Sequence, residues 1–113
     1  MQYIDQTLSY DEIIKFQKQY GSYVKVTVDI ENERLVIGCE LHADWEKILL
    51  EKGSEQQNIW GGGINFDTKD VDALAVLNLR PRLNNNSMEI LDSERRKKFI
   101  ETVKKLFSAL WES

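Results

Sequence analysis

The sequence predicts an α+β fold: one domain, residues 1–113, in the order α-β-β-α-β-β-α, with a mainly antiparallel sheet of about four strands and helices packed on one face. Three observations carry this. Val24, Val26, Val28 and Ile30 alternate with Lys25, Thr27 and Asp29, and Leu35, Ile37, Cys39 and Leu41 alternate again after the polar link Glu31-Asn32-Glu33, the pattern of two paired strands with one buried face. At the far end Phe99, Ile100, Val103, Leu106, Phe107, Leu110 and Trp111 follow the i, i+3, i+4, i+7 spacing of an amphipathic helix. A hydrophobic content of 42% supplies one core and not two.

The first helix is announced by its cap. Ser9 with Glu12 forms a capping box, Leu8 and Ile13 are placed for a hydrophobic staple, and Gly21 supplies the stop. The strand Tyr23–Ile30 and the run Arg34–Leu41 join as a hairpin, whose second face carries Val36, Gly38, Glu40 and His42. A short helix follows from Ala43 to Lys52, with Trp45, Ile48 and Leu49 inward, Asp44 in its first turn and Gly53 at its end.

Asn58–Phe66 reads as a strand interrupted by Gly61-Gly62-Gly63, which points to a bulge or to a place where another backbone or a ligand comes close. Asp67–Asp72 is a polar connection. Ala73–Arg80 is a strand with Ala75, Leu77 and Leu79 on one side and Val76, Asn78 and Arg80 on the other, ended by Pro81. Asn84, Asn85 and Asn86 make a turn, and the last helix begins near Asp92 or Ser93.

Charge and motif content exclude several function classes. The net charge of -4 is the balance of many charges of both signs, and the pI near 5.0 argues against a general nucleic-acid binder. The basic residues of the last helix, Arg95, Lys97, Lys98, Lys104 and Lys105, are interrupted by Glu94 and Glu101 and read as a solvated outer face. The apolar runs are too short to span a membrane, the amino terminus lacks a signal-peptide pattern, and the lone Cys39 faces the core, so the expectation is a cytoplasmic protein without membrane or cofactor. No nucleophile elbow or phosphate-binding glycine motif is present.

The candidate site gathers around Glu40-Leu41-His42-Ala43-Asp44, where strand pattern gives way to helix pattern. Glu40 and His42 project from one face, and Asn78 and Arg80 of the later strand are expected to join them. A guanidinium holds a carboxylate or phosphate, an amide fixes orientation, and the carboxylate-imidazole pair moves a proton near neutral pH. Arg96 falls by helical spacing near the middle of the last apolar stripe and needs a partner there. The ligand-binding candidates are therefore Glu40, His42, Asp44, Asn78, Arg80 and Arg96, for a small polar or anionic ligand, with hydrolysis open. An ordinary solvated sheet face is the competing account. With a single histidine and no paired metal motif, no metal is assigned to Glu40, His42 and Asp44. A second functional reading is a protein-interaction or homodimerising module using the uncovered sheet face or an edge strand, with Val36, Val76 and Trp60 as contact area.

The blocks Glu40-Leu41-His42-Ala43-Asp44, Leu49-Leu50-Glu51-Lys52-Gly53-Ser54, Trp60-Gly61, Asn78-Leu79-Arg80-Pro81 and Asn85-Asn86-Ser87-Met88-Glu89-Ile90, in this order, resemble a small prokaryotic family known as a domain of unknown function. Arg96 matches an arginine of that pattern. The triple glycine after Trp60 and the short stretch before the next strand depart from it. The resemblance implies a compact single domain in a prokaryotic cytoplasm and carries no catalytic role over to any residue.

Overall fold

The computed structural model describes residues 2–38 and 42–112, and of residues 42, 43 and 45 the backbone alone. Among the described residues five strands form one sheet: β1 (Gln2–Ile4), β2 (Tyr23–Asp29), β3 (Arg34–Ile37), β4 (Ile59–Asn65) and β5 (Asp70–Asp72), in the spatial order β1-β3-β2-β4-β5. Every pairing is antiparallel, with Val28 opposite both Leu35 and Trp60 at the centre. Three α-helices accompany it: α1 (Tyr10–Tyr20), α2 (His42–Glu51) and α3 (Ser93–Leu106).

The α+β class, the hairpin and the three helices agree with the sequence. The capping box is present in both directions, between Ser9 and Glu12, and Gly21 ends α1 with φ 87°. Ile13 of α1 and Phe99, Val103 and Leu106 of α3 close over Val24, Val26, Val28, Leu35, Ile37 and Ile64 to make the main core. Asp92 caps α3 by accepting from the Arg95 N–H, and a 3-10 turn at Ser108–Leu110 continues the apolar stripe beyond the helix.

Four expectations are corrected. A fifth strand, β1, adds to β3 in a stretch too short to show a period. α2 lies on the opposite side of the sheet from α1 and α3: Leu49 and Ile48 pack with Val36, Ile59, Tyr3 and Leu77 in a second, smaller cluster. The face expected to be uncovered is thereby covered; of the residues expected as contact area for a partner, Val36 is fully buried in this cluster and Trp60 in the main core. The glycines make no bulge, because the β2–β4 ladder runs unbroken from Tyr23–Asn65 to Asp29–Ile59. Their meaning is close approach: a Cβ on Gly62 would strike the Asp72 carbonyl and stand 2.7 Å from the Phe99 ring, and one on Gly61 would stand 2.7 Å from the Ala75 Cβ.

The fourth correction concerns residues 73–80. Ala73 and Ala75 are buried and Leu74 and Val76 exposed, so the period-two pattern is real, but among the described residues this segment pairs only through isolated bridges, Leu74 with Glu89 and Arg80 with Asn85. It coils into a 3-10 turn at Val76–Asn78, then a second at Pro81–Leu83. β5 occupies the place beside β4 instead, within the stretch read as a polar connection.

Candidate functional site

Asn78 lies at the start of the irregular segment, fully buried. Its Oδ1 accepts the Gly61 N–H at 2.8 Å and its Nδ2 donates to the Gly61 carbonyl at 2.9 Å, reproducing with one side chain the reciprocal pairing of a neighbouring strand. Nδ2 also reaches the carbonyls of Ala73 and Met88. Asn85 repeats the device: its Nδ2 faces the carbonyls of Asn78, Ser87 and Glu89, and its Oδ1 accepts from the Leu91 N–H. Both amides are consumed in holding residues 73–91 together. Asn78 is therefore a structural residue and not a ligand group.

Arg80, two residues on, has a different environment. It sits at the mouth of the second 3-10 turn, with a side chain only 12% exposed. Nε donates to the Leu77 carbonyl at 3.1 Å, Nη1 to the Gln56 carbonyl at 2.8 Å and Nη2 to Glu46 Oε2 at 3.2 Å. The guanidinium carbon stands 5.1 Å from the centroid of the Trp60 ring, and that of Arg95 stands 5.3 Å from the same ring, so one buried indole supports two cations. The Trp60 N–H is satisfied by the Gln57 carbonyl. Burial pulls the Arg80 pKa below its ordinary value; Glu46 opposes this, and the like charge of Arg95 adds to it.

Around Arg80 opens a cleft of about 720 Å³, within the span of about 300–1,000 Å³ usual for small-molecule sites. Glu46 of α2, residues 55–57 and the segment 76–83 form its walls. Val76, Leu79 and Pro81 give it an apolar side and Glu46, Glu55 and Arg82 a charged one.

Of the other predicted site residues, Asp44 and Arg96 do not line this cleft. Glu40 lies outside the described residues, as do Cys39, Leu41 and the side chains of His42 and Trp45. Asp44 is exposed in the first turn of α2. Arg96 is exposed, its nearest acceptor the Ile90 carbonyl at 3.4 Å, beside a shallow basic hollow shared with Lys97 and Lys104. The inward arginine is Arg95. The buried arc of α3 runs through Phe99, Thr102, Val103 and Leu106, and counting back four from Phe99 or seven from Thr102 gives Arg95. Thr102, polar by type, hid that rotation. Glu46, one helical turn after His42, escaped notice for want of any motif around it.

A second polar cluster closes the end of β2, where Asp29 lies opposite Ile59 of β4. Asp29, its side chain fully buried, accepts from the N–H groups of Glu31 and Asn32, from Asn32 Nδ2, from Ser54 Oγ and, at 3.3 Å, from Arg34 Nε. Arg34 also donates to Ser54 Oγ. This network ties the β2–β3 turn to Ser54, three residues beyond the end of α2. Among the described residues no group of three or more His, Cys, Asp or Glu stands in metal-holding geometry, and no helix is long and apolar enough to cross a membrane.

The fold and cleft define a small α+β domain with a five-stranded antiparallel sheet covered on both sides and an arginine-floored opening beside it. A family model described as "Protein of unknown function (DUF5674)" matches residues 2–106. The chain belongs to that family, in agreement with the resemblance read from its sequence blocks. No curated protein and no solved structure matches it.

Proposed function

We propose that the protein binds a small polar or anionic ligand in the cleft floored by Arg80. The supporting observation is an arginine that is mostly buried, fixed by three hydrogen bonds and open to about 720 Å³ of accessible space. A guanidinium carries five N–H donors, and Leu77, Gln56 and Glu46 each take one, which leaves two for a ligand. Fixing the side chain in advance removes most of the ordering cost that a free surface arginine carries into binding. Binding is proposed in preference to hydrolysis because Glu46, the carboxylate beside Arg80 on the cleft wall, already spends Oε2 on the guanidinium.

The test is an NMR titration of the protein with acetate and with inorganic phosphate, observing the Arg80 side-chain N–H and the backbone of residues 76–83. Saturable shifts with dissociation constants below about 10 mM, abolished in Arg80→Ala, are the expected result. Shifts that stay linear, or that survive Arg80→Ala, would refute the proposal.

A protein-interaction or homodimer reading has its own support. Leu74, Val76, Leu79, Met88 and Leu91 are each between 45% and 62% exposed, and all belong to the stitched segment 74–91. Light scattering over a concentration series tests it, and a molar mass constant at one chain would count against a homodimer. A cytoplasmic setting is part of the same proposal, supported by a single cysteine that leaves no intramolecular disulfide within these residues.

A further inference from the structure

Resting on the reading of the Arg80 cleft as a ligand site, we infer that its ligand is a small organic monocarboxylate with an apolar body. Charge sets the valence. Glu46 and Glu55 oppose Arg80 and Arg82 on the cleft wall, and Arg95, against the same indole as Arg80, leaves one positive charge in excess. One negative charge balances that excess, whereas a di- or triphosphate brings several charges up to two carboxylates. Donor number agrees, since the two N–H groups remaining on Arg80 match the two oxygens of a carboxylate.

The walls set the body. Val76 is 62% and Leu79 47% exposed, and with Leu77 and Pro81 they line the cleft within reach of the guanidinium's opening. An aliphatic or aromatic tail attached to the carboxylate would remove this surface from water, a gain that a bare inorganic anion does not provide. The wall is built to last without a ligand: Asn78 and Asn85 hold its backbone from behind, so the apolar side chains remain displayed.

The experiment titrates the full chain with hexanoate, hexanamide and inorganic phosphate, following residues 76–83 by NMR, and repeats the hexanoate series on Val76→Ser, a change at an exposed position that leaves the buried contacts alone. Hexanoate is expected to bind at least about tenfold more tightly than hexanamide or phosphate, and Val76→Ser to weaken it by about threefold or more. Equal affinity for hexanamide would overturn the carboxylate assignment. Phosphate binding as tightly as hexanoate, with no effect of Val76→Ser, would overturn the monocarboxylate class while leaving the anion site standing. Saturable binding by none of the three would overturn both.

Discussion

Two arginine-carboxylate pairs, both near the start of β4, where Ile59 lies opposite Asp29 and the Trp60 ring meets Arg80, have nearly the same bond length and different meanings. Arg34 meets Asp29 at 3.3 Å and Arg80 meets Glu46 at 3.2 Å. At the first, Asp29 is fully buried and surrounded by donors from Asn32, Glu31 and Ser54, so the carboxylate is taken up in holding the turn while the Arg34 side chain is 17% exposed. At the second, Glu46 is 20% exposed and the guanidinium faces a cleft with donors to spare. Density of polar groups does not distinguish the two. What separates them is the carboxylate, buried and filled by donors in the first pair and partly exposed beside a cleft in the second.

Mutations sharpen the contrast. Asn78→Ala, inside the open region but itself closed, would strand the Gly61 N–H and carbonyl together with two further carbonyls, and a loss of about 4 kcal/mol is expected by urea denaturation. A loss below about 1 kcal/mol would show that water replaces the amide. Asp29→Ala should cost about 3 kcal/mol, because Arg34, Asn32 and Ser54 lose a shared buried acceptor. Glu46→Gln, by contrast, should cost about 1 kcal/mol or less, since its carboxylate is partly solvated. If Glu46→Gln proved as costly as Asp29→Ala, the distinction between a saturated and an open cluster would collapse.

Acid provides a separate handle. Burial raises the Asp29 pKa, but the hydrogen bonds from Ser54, Asn32 and Glu31 more than offset it and hold the carboxyl below the usual range. Because the folded value lies below the unfolded one, near 3.9, the stabilisation is complete above that pH and fades as the pH falls through the folded value. Unfolding free energy measured from pH 5 downward should therefore drop more steeply in the wild type than in Asp29→Asn. Parallel slopes would mean that other carboxylates dominate acid unfolding.

The architecture was legible where local rules and tertiary packing agree. Ser9 and Glu12 announced α1, and the valines of β2 announced its buried face. It was illegible where the partner decides. Alternation across Ala73–Leu77 specified which side chains are buried, but a strand also needs a neighbour, and the backbone of β4 at Gly61 is already taken by the Asn78 amide. The sequence singles out Arg80 as a candidate to hold an anion, on a strand that does not form, and carries no motif that points to its partner Glu46. Arg95 was passed over for Arg96 because a single buried threonine shifts the centre of a helical face by a fraction of a turn.

The pairing of Asn78 with Gly61 has a consequence for solubility. Past β5's three residues, the outer side of β4 would present free amide and carbonyl groups able to recruit a strand from another molecule, the first step of fibre growth. One carboxamide, carrying no main-chain continuation and buried behind Met88, occupies that docking position and offers nothing onward to a newcomer. At Gly61 the edge of β4 is guarded against intermolecular strand addition by a plug the size of a single side chain.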